Sequence, residues 1–152
     1  MMKRIFIAFF SIAAAFALVI SCIGERHATG TVNMLQDGVY TASTAPDGEN
    51  YFCRGIMKVE KGAIVSIEWE IRDKNRNDRL FDATYGPEVY PNQEFYRSQC
   101  RENLEGMKAY GPRLIETQDP IKVDAVTGAT WAYGKFSQVV KALLKKARKE
   151  PR

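Results

Sequence analysis

Residues 124–147 read DAVTGATWAYGKFSQVVKALLKKA. The later part of this stretch settles one element. Phe136, Val139, Val140, Leu143, Leu144 and Ala147 fall on one helical face, with Lys141, Lys145 and Lys146 elsewhere. The pattern predicts an amphipathic helix from Trp131 onward that packs on a sheet. The first seven residues, Asp124 to Thr130, are of another kind. Small residues crowd their C-terminal half, so a bulky group can come close to the backbone. Thr127 and Thr130 set two hydroxyls three positions apart at the helix entry. A helix N-terminus has free N–H groups and the positive end of the dipole, and both favour an anion. The plainer alternative is that one threonine only caps the helix.

Upstream, the period changes to two. Val65, Ile67, Trp69 and Ile71 alternate with Ser66, Glu68 and Glu70, which predicts a strand with one buried face and Trp69 in the core. Met57 and Val59 share a face of the preceding strand, while Ile56 points the other way, and Lys61-Gly62 is the tight turn between the two. Asp37 to Ala42 reads as a turn into a first strand, followed by the turn signal Pro46-Asp47-Gly48. Arg72 to Arg79, dense in charge and Asn, reads as a solvated loop. Leu80 to Pro91 carries aromatics and prolines with no clean period. Pro91-Asn92 opens a helix whose Tyr96, Cys100, Leu104 and Met107 would face the sheet, and Gly111-Pro112 would stop it. Ile121 and Val123 then suit a short strand or extended arm. Strands, helix, loop, helix is the order of an α+β domain: a small, mainly antiparallel sheet with helices packed on one side.

The 152 residues suit one domain once an N-terminal segment is set aside. The net charge is +4, and two of the basic residues, Lys3 and Arg4, lie in a leading segment without acidic residues. The remaining excess is too weak to point to nucleic acid, and no basic run is interleaved with aromatics. Residues 1–21 have the layout of a secretory signal: Lys3-Arg4, an apolar run from Ile5 to Ile20, then Ser21 before Cys22. Val19-Ile20-Ser21-Cys22 resembles a bacterial lipobox, with Leu18 one place too early. The resemblance implies cleavage before Cys22, diacylglycerol on its thiol and a lipid anchor in a membrane. The alternative is an uncleaved transmembrane helix. Either arrangement holds the folded domain outside the cytoplasm, in the bacterial cell envelope. Residues 22–36 read as the lipidated cysteine and a polar tether containing His27, the only histidine, and residues 37–150 as the domain.

Asp124 to Thr130 resembles the Asp-x-x-Ser/Thr-Gly-Ala-Thr/Ser signature of FMN-binding domains. That family is shared by flavin subunits of sodium-pumping and electron-transport complexes and by small membrane-anchored lipoproteins. The likeness runs in family order from about Asp37 to about Ala147, and Asp37-Gly38-Val39-Tyr40 is similar to the family's opening. It implies FMN held by a phosphoester on Thr130, with Asp124, Thr127, Gly128 and Ala129 completing the signature. A separate flavin transferase would install it from FAD with magnesium, Asp124 lying close to that metal. An ordinary threonine is a poor nucleophile, and no histidine is near in sequence, which suits modification by an outside enzyme.

The function implied is electron transfer between an unidentified membrane donor and an external acceptor. The rival readings are a surface lipoprotein that binds FMN reversibly or not at all, and a flavin-dependent cell-surface reductase. No residue set stands out in the sequence to bind an organic substrate or to supply a proton. Trp131, Tyr133 and Tyr40 are candidate ring contacts, each also explicable as structural, and the resemblance, whose members often carry a ligand-facing turn between Leu80 and Pro91, adds Tyr85 as a residue near the flavin. Cys53 and Cys100 could form a disulfide or remain separate buried thiols. Their spacing matches no metal site.

Overall fold

The computed structural model describes residues 35–148. The expected signal segment, Cys22 and most of the expected tether, with His27, lie outside these residues. Four strands form one antiparallel sheet in sequence order: β1 Gly38–Ser43, β2 Tyr51–Glu60, β3 Ala63–Asp73 and β4 Arg79–Leu80. Three helices follow: α1 Tyr85–Val89, α2 Glu94–Thr117 and α3 Thr130–Ala147. The α+β reading is borne out.

The β2–β3 hairpin turns on Lys61 and Gly62, with φ of 53° and 77°. Both central residues are left-handed, as a two-residue hairpin that matches strand twist requires. The ladder then slips. Val59 pairs with Ile64, but Lys58 pairs with Ser66, so Val65 is an extra residue in a bulge. Ile64 is buried and Val65 is 41% exposed, whereas Ile71 farther along keeps the buried face. The alternation therefore starts beyond the bulge, with Ile67 and Trp69 half-buried.

α3 lies on β1 and β2, and α2 lies on β3 and against α3. The six apolar positions of α3 expected to face the sheet are all buried, above Met57, Val59 and Ile71. Gly55 lets the helix approach, because a Cβ there would stand 2.9 Å from Val139 Cγ2. Trp69 packs by its edge on Phe136, with centroids 5.1 Å apart. The domain begins slightly before residue 37. Leu35 bridges to Arg148, and Gln36 N–H donates to Ala147 O at 2.7 Å, so the last two residues of the expected tether are fastened to the end of α3.

Several expectations are corrected. Gly111-Pro112 does not stop α2, which continues through Pro112 to Thr117. Gly111 and Leu114 are buried against the sheet side, Pro112 is exposed, and packing outweighs the helix-breaking propensity. The helix ends at left-handed Gln118, whose side chain accepts from Ile64 N at 2.7 Å and donates to Ile64 O at 2.9 Å. Of the expected stripe on α2, Cys100 is buried, Leu104 and Met107 are half-buried and Tyr96 is 49% exposed, while the fully inward line runs through Asn103, Gly106, Tyr110 and Leu114. Arg72 to Arg79 is not simply a solvated loop. It completes β3, makes a 3-10 turn over Lys74–Arg76 and enters β4, and Asp73 is buried. Pro120–Lys122 forms a 3-10 turn rather than a strand.

Cys53 on β2 and Cys100 on α2 are free, buried thiols, so the bridged alternative does not hold. Burial pushes the Cys53 thiol up to about 12, with a smaller opposing effect from the Thr44 hydroxyl, and raises Cys100 as well. Both are expected to react with a thiol reagent only after denaturation, and rapid labelling of the native protein would contradict their burial. Leu143→Ala is expected to lower stability by about 2–5 kcal/mol in urea unfolding. Lys141→Ala, on the exposed side, should stay within about 0.5 kcal/mol.

Candidate functional site

The loop from Asp124 to Ala129 crosses α2 before α3 begins. Its turn is closed by Ala129 N–H donating to Val126 O at 2.9 Å, with Gly128 at φ 80°. A Cβ at this position would sit 2.6 Å from the exposed Glu102 carboxylate, which would have to swing aside, so the positive φ is the constraint that favours glycine. Ala129 is the N-cap residue of α3, and it has no side chain to cap with.

The capping comes from the neighbouring helix. Asn103 Oδ1 accepts from Ala132 N–H at 3.0 Å, and its amide nitrogen donates to Gln99 O at 2.8 Å. The Tyr110 hydroxyl donates to Ala129 O at 2.9 Å and accepts from Val126 N–H at 3.2 Å. Arg113 reaches Asp124 O at 3.1 Å. Gly106 makes the close approach possible, because a Cβ there would fall 2.2 Å from Ala129 Cβ.

Neither threonine therefore serves as the cap. Thr127 and Thr130 are exposed, and among the described residues neither hydroxyl has a hydrogen-bond partner. Thr130 is the first residue of α3, and the N–H groups of Thr130 and Trp131 have no intrahelical acceptor by helix geometry. Asp124 and Gly128 are exposed, and Ala129 is wholly buried. The five residues of the signature thus form one loop, with Asp124 at its far end. Among the described residues no cluster of three or more metal-ligating side chains occurs.

Trp131, the residue after Thr130, lines an aromatic cleft of about 540 Å³. This volume lies in the range of small-molecule sites. Tyr51, Phe81 and Tyr85 share the wall with it, and Tyr90, Phe95 and Tyr96 stand toward the exposed end of α2. Trp131 meets the Tyr51 ring edge-on at 5.1 Å and Phe81 at 5.2 Å, and its indole N–H donates to Glu49 at 3.3 Å. Lys135, one turn along α3, is buried, pairs with Asp47 and lies 5.3 Å from the Trp131 ring. These contacts fasten the Pro46–Glu49 turn over the start of α3.

Of the four aromatics expected near the ring, Trp131 and Tyr85 are on the cleft. Tyr133 meets Tyr110 edge-on, and the Tyr40 hydroxyl donates to Gln36 O. The cleft also contains a polar set that only the fold assembles: Asp73, Tyr85 and Tyr51, drawn from two strands and α1. The one signal for α2's role was Asn103, a polar residue on an otherwise apolar or small stripe. Tyr110→Phe and Gly106→Ala are each expected to cost about 1–3 kcal/mol in denaturant unfolding, the first by orphaning Val126 N–H, the second by overpacking the loop. Ala is the better helix former, so a stability gain in Gly106→Ala would mean that the loop does not pack on α2.

No protein-family model matches the chain, and no curated protein matches it. Among solved structures, the chain is similar to the CPE2226 protein from Clostridium perfringens, with 25% identity, a TM-score of 0.51 and coverage of 75% of this chain and 89% of that one. A solution structure of a Clostridium thermocellum protein aligns at 22% identity and a TM-score of 0.43 over 78% of this chain and 96% of that one. The likeness to the Clostridium perfringens protein is one of fold.

Proposed function

We propose that this chain is a membrane-anchored, extracytoplasmic electron-transfer lipoprotein that carries FMN through a phosphoester on Thr130. One observation carries the reading. Asn103 caps α3 from a neighbouring helix, which leaves the exposed Thr130 hydroxyl without a structural task at a helix start beside an aromatic cleft.

The residues fit the group. Thr130 would supply the linking oxygen, and the N–H groups of Thr130 and Trp131, with the helix dipole, would favour the phosphate. Gly128 and Ala129 are small, and the Glu102 carboxylate lies beside Gly128. Trp131 and Tyr51 offer an apolar wall of suitable size for a planar ring. Bound flavin supplies one- and two-electron transfer, and the chain's part is to hold it, limit water and tune its surroundings. No base or acid is hydrogen-bonded to the Thr130 hydroxyl among the described residues. That supports attachment by a separate transferase, using FAD and magnesium, in preference to self-modification. A covalent link also suits a protein outside the cell, where released FMN would be lost. The lipid anchor on Cys22 and the identity of the electron donor and acceptor belong to the same proposal.

The cleft alone could also serve a reversible ligand, which is the competing reading. The two separate on denaturing electrophoresis of protein exported from a host that expresses a flavin transferase. In-gel flavin fluorescence is expected to survive SDS in the wild type and to vanish in Thr130→Val. Thr127→Val should retain the chemical possibility of the bond. Fluorescence persisting in Thr130→Val would overturn the site assignment, and fluorescence lost in SDS from the wild type would favour reversible binding.

A further inference from the structure

The polar set in the aromatic cleft has a fixed direction, and that direction says what the cleft can recognise. Asp73 is 1% exposed at the end of β3. Its Oδ1 accepts from Asn75 N–H at 2.9 Å, and its Oδ2 accepts from Arg76 at 2.8 Å and from the Tyr85 hydroxyl at 2.5 Å. A carboxylate only accepts, so all three contacts are donated to Asp73. Tyr85 has a single hydroxyl proton, and it is spent on Asp73. The 2.7 Å contact between the Tyr85 and Tyr51 hydroxyls must therefore be donated by Tyr51.

Tyr51 has then spent its proton too. Tyr51 is half-buried and lines the cleft, and its hydroxyl oxygen has lone pairs only to offer. Burial pushes the Tyr51 phenol up to about 12 and raises Tyr85 further, so both keep their protons and the count holds at ordinary pH. A cleft walled by rings takes a planar aromatic ligand, and its acceptor at Tyr51 asks that ligand for a donor.

We propose that Tyr51 is the specificity-determining acceptor of this cleft, selecting a planar heteroaromatic ring whose edge carries N–H over one whose edge carries only acceptors or methyl groups. The proposal rests on the reading that the cleft receives a flavin ring, whose imide edge has such an N–H. Tyr85 and Asp73 act through Tyr51 as positioning residues. A ligand with no donor leaves the Tyr51 acceptor dry and unpaired.

The test uses the full chain, purified without attached flavin in detergent, with a detergent blank. It is titrated with lumichrome, which has ring N–H groups, and with 1,3-dimethyl-lumichrome, which has none. Fluorescence quenching gives each dissociation constant. Lumichrome is expected to bind about tenfold more tightly than the dimethyl ring. In Tyr51→Phe the preference should fall to within about twofold. In Tyr85→Phe it should also fall, because Tyr51 regains a free proton; this variant decides the matter if Tyr51→Phe does not fold. Equal wild-type binding of the two rings would overturn the proposal and leave a ring-binding cleft standing. An undiminished preference in Tyr51→Phe would also overturn it, by assigning the discrimination to shape. Binding of neither ring would overturn the cleft reading itself, and this proposal with it.

Discussion

The candidate site depends on α2 holding the entrance to α3. Tyr110 and Asn103 bind the loop at Val126, Ala129 and Ala132, and Gly106 allows the chain to pass within reach. Helix starts normally satisfy their N–H groups with a local Ser, Thr, Asp or Asn. Here that work is done by a side chain 29 residues earlier. The arrangement couples the position of the two threonines to the packing of both helices on the sheet. It also leaves the hydroxyls available for other chemistry, which a simple cap would not.

Much of the framework could be read from local pattern. The face of α3 is an uninterrupted helical stripe, and a wholly apolar stripe leaves few alternatives. Lys61-Gly62 marked the hairpin because a tight antiparallel turn needs left-handed residues. Failures occurred where distant contacts outweighed local preference. Pro112 is tolerated because Gly111 and Leu114 anchor α2 to the sheet and Gln118 pairs with the Ile64 backbone. The alternating pattern points Val65 inward because it says nothing of an inserted residue. The stripe on α2 was set beside its true course because its members include Asn103, Gly106 and Gly111, which a search for large apolar residues passes over.

The loop motif itself was visible in the sequence, and its surroundings were not. Residues 73, 85 and 51 are scattered through a charged segment, a stretch without period and a strand end. Only folding brings Asp73 beneath Tyr85 and Tyr51. A buried carboxylate is costly unless fully bonded, and this one is met by three donors, so the network is fixed in one sense. That fixed sense turns an aromatic wall into a surface with a stated polarity. In the proposed function the two features serve different ends of one cofactor: the uncapped threonine holds the phosphate, and the cleft receives the ring.

The measurement closest to the central claim is peptide mass spectrometry of protein exported in the presence of active flavin transferase. The account predicts that the peptide containing Thr130 carries the added mass of FMN less water, with fragmentation locating it on that residue. Recovery of the same peptide entirely unmodified, from a cell in which another substrate of the transferase is flavinylated, would contradict it.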